Sequence, residues 1–342
     1  MSRVRPNRQQ VNKYEHLARR ARDERASRPV KEPKPLPPVE APPPSFRAVE
    51  APFTSVDVIH FNDFHRQLEP VKEDNQGGVA RLSTAIKRLQ AEHPEAVTVN
   101  LGDVSFDSGP ITGKNMFKPV PELFREMGVQ ILELGNHEFQ DPQNNYAALK
   151  DGLIAQFNGE VLCGNVTDAV NNQPFPGTKP YTTKQLAGMN IAFIGVVTQD
   201  MATKTHPNVA TGMSVANIAE TLKTLVPKVR ADGADAVVVL AHESYNDCKE
   251  VAKQVDGIDL LLAAHDHKVV LDAEQVITPN GGRTTLIEAG SHGQYLGHSR
   301  LVVDPAAKTV VRVEGHLIPI DRGIPEDPAV QKIVSAYREK RG

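Results

Sequence analysis

The sequence predicts an α/β fold in which polar chemistry collects at the ends of strands. Three observations lead there. Short apolar runs rich in β-branched residues recur along the chain, amphipathic helical stretches lie between them, and Asp, Asn and His follow the runs at once. Runs without clean apolar–polar alternation indicate strands buried on both faces, as in sheets covered by helices.

The first fifty residues differ from the rest. Residues 9–27 combine helix formers with alternating charge sign and predict a solvated helix. From Pro29 to Pro52 proline density rules out a helix or a strand ladder and predicts an extended linker. Twelve Lys and Arg against six Asp and Glu make residues 1–50 basic, whereas the remainder holds twenty-seven against thirty-six. Residues 1–52 are therefore expected to be a disordered tether. The alternative is an arm that docks on a protein partner through a proline-binding groove or an anionic surface.

The body is expected over residues 53–322. Its strands are predicted at Val56–Phe61, Ala96–Leu101, Val129–Leu134, Ile191–Val197, Ala236–Ala241 and Leu260–Ala264. Helices are predicted over Gly78–Glu92 and Val215–Asp232, with Pro227 expected to kink or end the second. Thr284–Ala289, His298–Asp304 and Val310–Leu317 follow one another without helices, so a second, more antiparallel group of strands is expected there. A tail, residues 323–342, contains a last helix over Asp327–Lys340.

Composition narrows the function. With 342 residues, 39% of them hydrophobic, the chain can bury one sizeable core. A formal net charge of -3 gives no general reason to expect nucleic-acid binding. Cys163 and Cys248 are too few for a disulfide framework and lack metal-type spacing, so both are read as ordinary thiols. No apolar run is long enough for a membrane span, and no secretory signal is visible; a cytoplasmic location is the expectation.

The chemistry lies just after the strands. Asn62-Asp63-Phe64-His65, Gly102-Asp103, Gly135-Asn136-His137-Glu138, His242 and His265-Asp266-His267 each close a predicted strand. Ligand crevices of open α/β sheets lie beyond the carboxyl ends of strands, so five such ends can meet at one place. Side chains two apart on extended backbone point the same way, which lets Asp63 and His65 grip one cation and lets His265 and His267 face one pocket. Oxygen and imidazole donors without thiolate suit Zn, Mn, Fe or Co better than a structural zinc site. One Asp-x-His is usually a satisfied polar pair. Five groups, all at strand ends, would impose a desolvation cost with nothing to offset it unless a cation binds.

In this order the motifs resemble those of the calcineurin-like metallophosphoesterases, and within them the 5′-nucleotidase and 2′,3′-cyclic-nucleotide phosphodiesterase branch. Gly77-Gly78-Val79-Ala80-Arg81-Leu82, Asp256-Gly257-Ile258-Asp259 and Ala289-Gly290-Ser291-His292-Gly293-Gln294-Tyr295-Leu296-Gly297 extend the similarity, which runs from about Val56 to Ile320. The resemblance implies a four-layer α/β/β/α sandwich of two mixed sheets. It implies one metal ion on Asp63, His65 and His267, a second on Asn136, His242 and His265, and Asp103 bridging them. It further implies in-line attack on phosphorus by a hydroxide shared between the ions, with His137 protonating the leaving alkoxide. Asn62, Glu138 and Asp266 are then expected to hold the ligand loops in shape, and Arg66 and His292 to border the substrate. Asp107 and Ser108 either line the pocket or make a turn. His60, His93, His206, His298 and His316 match no ligand position and are expected in packing or at the surface.

Some positions depart from that branch. Arg66 stands where Gly is usual, Gln140 where an Asp normally supports the catalytic His, and Ala264 where Gly is common. Such nucleotidases carry a second, nucleobase-reading domain that the sequence as given is expected to lack, so nucleotide specificity does not follow from these motifs. The leading expectation is a dinuclear phosphoester hydrolase acting on a small phosphorylated substrate. Two alternatives stand beside it. One is a non-catalytic binding protein docking through its proline-rich arm; the other is a hydrolase of a non-phosphate ester.

Overall fold

The computed structural model describes residues 46–71, 75–104, 117, 119–140, 149–201 and 212–339. The helix expected over 9–27, the linker up to residue 45, Asp107, Ser108, His206 and the side chain of Gln140 lie outside the described residues.

Among the described residues fourteen strands occur. The first seven are β1 (Thr54–Phe61), β2 (Val97–Asn100), β3 (Ile131–Glu133), β4 (Glu160–Leu162), β5 (Val166–Asp168), β6 (Tyr181–Leu186) and β7 (Met189–Val197). The others are β8 (Met213–Val215), β9 (Ala236–His242), β10 (Leu260–Ala263), β11 (Glu274–Ile277), β12 (Arg283–Glu288), β13 (Tyr295–Asp304) and β14 (Thr309–Pro319). The helices are α1 (Val79–Glu92), α2 (Pro119–Glu126), α3 (His137–Gln140), α4 (Ile218–Ala231), α5 (Tyr245–Ala252) and α6 (Pro328–Glu339).

Two six-stranded mixed sheets form, in the orders β14-β13-β1-β2-β3-β4 and β11-β12-β10-β9-β7-β6; β5 and β8 make a small pair of their own. In the first sheet β1 to β4 run parallel and β13 returns antiparallel to β1. In the second, β7, β9, β10 and β12 are parallel, with antiparallel β6 and β11 at the two edges. The period of two along each strand divides the core. Val56, Val58, Val97 and Val99 pack with the second sheet and its helices α4 and α5. Ile59, Phe61, Leu132 and Leu134 pack with α1, α2 and α6. This is the four-layer sandwich expected from the resemblance.

Helix α1 forms because Val79, Leu82, Ile86 and Leu89 make one buried stripe. Two expectations are corrected. The late strands are not a separate antiparallel group: β12 joins the second sheet parallel to β10, while β13 and β14 complete the first. Pro227 neither ends nor divides α4, which runs from Ile218 to Ala231 around it. Leu222, Val226 and Val229 are buried on that helix. Burying three such side chains contributes roughly 1.5–3 kcal/mol each, more than the ~3 kcal/mol that an interior proline costs.

Of the histidines left without a ligand role, His60 and His298 are buried in the sandwich. His298 and Arg300 both donate to Asp57 Oδ1, at 2.7 and 2.8 Å, and tie β13 to β1. His93 and His316 border the same network. Cys163 and Cys248 are free and buried, and burial pushes both thiols well above their usual range. No helix among the described residues is long and apolar enough to cross a membrane.

Candidate metal centre

The C-terminal ends of β1, β2 and β3 in one sheet meet those of β9, β10 and β12 in the other. Asp63, His65, Asp103, Asn136 and His137 come from the first sheet, and His242, His265, His267 and His292 from the second. The centre thus exists only because the two sheets pack face to face.

Three overlapping donor groups result: Asp63, His65 and His267; His65, Asp103 and His137; and Asp103, His242 and His265. Within each group the ligand atoms lie within 4.8 Å of one another. His65 Nε2 and His267 Nε2 face each other at 3.1 Å. His267 Nε2 is 3.3 Å and His65 Nε2 3.7 Å from Asp63 Oδ1. Asp103 Oδ2 is 3.2 Å from His242 Nε2, 3.8 Å from His137 Nε2 and 4.0 Å from His65 Nε2. Asn136 Oδ1 joins the same place, 3.1 Å from His242 Nε2.

The residues fit a pair of divalent cations. Asp63 Oδ1 is buried, with the Nε2 atoms of His267 and His65 only 3.3 and 3.7 Å away. Buried oxygen and nitrogen lone pairs that point at one another repel unless a proton or cation lies between them. The donors are carboxylate, amide and imidazole, the chemistry of Zn, Mn, Fe or Co.

Backbone strain accompanies the centre. Among the described residues eleven non-glycine positions have positive φ, and seven of them are Asp63, His65, Arg66, Asp103, His265, His267 and His292. This changes the reason for convergence. The β1 strand ends at Phe61 and β10 at Ala263, so Asp63/His65 and His265/His267 lie in left-handed turns and not on extended backbone. The turns, not strand alternation, bring each pair to a shared point. Each left-handed residue costs about 1–2 kcal/mol, which the surrounding contacts must offset.

Those contacts are specific. Asn62 Nδ2 donates to Asp63 Oδ2 (2.8 Å) and Gly290 O (2.6 Å), while its Oδ1 accepts from Ala289 N–H (3.1 Å). It stitches the loop after β1 to the loop after β12. Glu138 accepts from the N–H groups of Gly135, Asp103 and Val104 at 2.8, 2.9 and 3.0 Å, and so shapes two ligand loops together. Asp266 accepts from Tyr245 N–H at the start of α5, at 3.1 Å. His242 Nδ1–H donates to Leu101 O at 2.6 Å, which turns Nε2 toward Asp103 and Asn136 at the centre. A side chain at Gly135 would place its Cβ 2.2 Å from Asp103 Oδ1 and 2.8 Å from His242 Cε1, so only glycine fits.

Electrostatics follow the geometry. Burial alone would raise Asp103, but His242, His137 and His65 hold its carboxyl well below the usual range. Burial alone would lower His242, yet the carboxylates of Asp103 and Asp63 lift it to about 10. His137, at the start of α3 with its side chain 25% exposed, is lowered by burial, while the Asp103 carboxylate acts in the opposite direction. His292 is half-buried, with its ring centroid 5.5 Å from that of His65 and 5.8 Å from that of His267. Arg66 directly follows His65 and is half-buried.

Sequence reasoning missed Glu288 and Asn100. Asn100 is fully buried, donates to Phe61 O and accepts from Gly102 N–H, and so sets the turn that presents Asp103. Glu288 is the last residue of β12. Its signal was the same as for the ligands, a charged residue closing an apolar run, at a sixth strand end that had not been counted.

Residues 56–269 match the calcineurin-like phosphoesterase family, and the chain belongs to it. That is a family of phosphoester hydrolases, and its 5′-nucleotidases are among the relatives. A snake venom 5′-nucleotidase from Gloydius brevicauda is 23% identical over 311 residues, which cover 82% of this chain and 50% of the relative. A 5′-nucleotidase precursor from Thermus thermophilus superimposes with a TM-score of 0.74 at 21% identity, over 84% of this chain and 59% of its own. The Thermus thermophilus sulfate thiohydrolase SoxB superimposes with a TM-score of 0.70 at 19% identity, over 82% of this chain and 60% of its own. The chain spans about half the length of the curated relative it matches.

Proposed function

We propose that this chain is a dinuclear metal-dependent phosphoester hydrolase acting on a phosphomonoester or phosphodiester, with nucleotides as the candidate substrate class. The observation that carries the reading is Asp103. Its carboxylate belongs to two donor groups at once, one with His65 and His137 and one with His242 and His265.

Asp63, His65 and His267 would hold one ion, Asn136, His242 and His265 the other, and Asp103 both. When bound, the two cations supply Lewis acidity at phosphorus and make water nucleophilic at neutral pH. Asp103 arrives already ionised, so it can bridge without first losing a proton. The Leu101 carbonyl fixes the His242 ring so that Nε2 faces inward. His137 would protonate the leaving alkoxide from its imidazolium form, which burial disfavours and the Asp103 carboxylate 3.8 Å away favours, and its partly exposed ring can reach a substrate. Arg66 and His292 are assigned to the substrate's phosphate and its surroundings. The basic, proline-dense residues 1–52, a tether or else a docking arm for a protein partner, are assigned no part in catalysis.

The test is a panel of 5′-mononucleotides, 2′,3′-cyclic nucleotides, nucleotide sugars, aryl phosphates and an S-sulfonate ester. It is assayed after loading with Mn, Zn, Fe or Co in turn. At least one phosphoester is hydrolysed, Asp103→Asn abolishes that activity and most metal content, and truncation at Ser45 leaves turnover unchanged. Full activity in Asp103→Asn contradicts the reading. Turnover of the S-sulfonate ester alone replaces phosphorus with sulfur as the reacting centre.

A further inference from the structure

One buried acid at the edge of the centre is outside the ligand set. Glu288 closes β12 and is fully buried. Its neighbour across the ladder is Ala263, from which the chain leaves β10 toward His265 and His267. Those two ligands, proposed for two different ions, both sit on left-handed backbone, with φ of 81° and 60°. Non-glycine residues keep that conformation only where their surroundings enforce it.

Glu288 grips this loop from several directions. Its Oε1 accepts from Lys268 N–H at 2.8 Å, immediately after His267. Its main-chain carbonyl accepts from Val270 N–H at 3.2 Å. Its side chain also lies against Asp266, the residue between the two ligands. Asp266 in turn accepts from Tyr245 N–H on α5. The loop is therefore held between the end of β12 and the start of α5.

We propose that Glu288 is a positioning residue: by bonding Lys268 N–H on one side and Asp266 on the other, it holds the strained turn that presents His265 and His267. The proposal rests on the dinuclear reading above only for the identity of what the turn presents. Two carboxyl groups side by side can bond only through a shared proton, and Glu288 Oε2 has no other hydrogen-bond partner among the described residues. Burial, followed by Asp266, lifts Glu288 to about 10. A glutamine has the same shape, an oxygen for Lys268 N–H and an N–H for Asp266. It should therefore replace Glu288 where alanine does not.

The test compares the full chain with Glu288→Gln, Glu288→Ala and Asp266→Ala. Hydrogen exchange over residues 264–268 is measured in chelator-treated protein, and manganese affinity by calorimetry. Glu288→Gln is expected to stay within about threefold of the parent in both, as a retained hydrogen-bond pattern requires. Glu288→Ala should exchange faster in that segment and bind manganese about 10–100-fold more weakly, the range for groups that orient metal ligands. Should Glu288→Ala fail to fold, Asp266→Ala removes the same bond from the other side and is expected to loosen the same segment.

Parent-like exchange and affinity in Glu288→Ala, or in Asp266→Ala if that variant alone folds, would overturn the proposal. Loss in Glu288→Gln as large as in Glu288→Ala would overturn it too. Exchange needs no bound ion, so the two readings can fail separately. A loop loosened by Glu288→Ala in a chain that never binds manganese supports the clamp and removes the cation assignment.

Discussion

His137 and Glu133 are four residues apart, and their surroundings give them opposite roles. His137 belongs to one donor group but sits at the partly exposed start of α3, where it can meet a substrate, and the proposed ligand sets are complete without it. Replacing it with asparagine is expected to lower turnover by about 10²–10⁴-fold, the usual share of a general acid, with metal content unchanged. Steady-state kinetics beside elemental analysis checks both halves, and loss of metal would make His137 a ligand. Glu133 is fully buried, neither of its carboxyl oxygens has a hydrogen-bond partner among the described residues, and burial pushes it well above the usual carboxylate range. An unpaired buried acid is a cost of about 1–3 kcal/mol, so Glu133→Met should raise unfolding stability by that order. A shift of the urea midpoint to lower concentration would contradict this. The sequence made the ligands legible because each follows directly on an apolar run. It did not make Glu133 legible, since a charged residue inside a three-residue strand shows nothing of the second sheet that covers it.

At the level of elements, the strands announced themselves and their pairing did not. Val56–Phe61 and Ala236–Ala241 were visible from composition alone. That β13 returns across more than two hundred residues to lie beside β1 is a tertiary fact with no local signal. Short elements such as β4 and α5 were missed because three to eight residues are too few for a period to show. The β1–β13 pairing buries His60, whose ring lies where a Cβ on Gly297 would come within 2.1 Å. Burial, with His298 and His316 nearby, lowers His60 to about 3, and His316 is lowered to about 4. Both titrate near 6.5 when unfolded, so between pH 6.5 and about 4 the unfolded chain binds more protons. Stability contributed by these neutral rings is complete above pH 6.5 and is lost as pH falls. His60→Gln should flatten the slope of unfolding free energy in that window by about 1.4 kcal/mol per pH unit, measured by urea titration. An unchanged slope would show that His60 does not stay neutral in the fold.

For the whole molecule, the centre depends on two sheets whose parallel strands end at the same rim. Neither sheet carries a complete donor set for both ions: His242, His265 and His267 come from the second, and both aspartates from the first. Cation binding should therefore bolt the sandwich together and offset the strain of seven left-handed residues. At a free concentration 100 times its dissociation constant, a bound ion stabilises the fold by about 2.7 kcal/mol, so a chelator should lower the melting temperature clearly. No such loss is expected in Asp103→Asn, where most of the metal is already gone. The central claim is that Asp103 joins two cation positions in one cage. Electron paramagnetic resonance of the manganese-loaded chain tests it most directly. Two ions about 3.5–4 Å apart give an exchange-coupled spectrum at two manganese per chain, and Asp103→Asn abolishes the coupling. One manganese per chain, or two with independent spectra, would contradict the account.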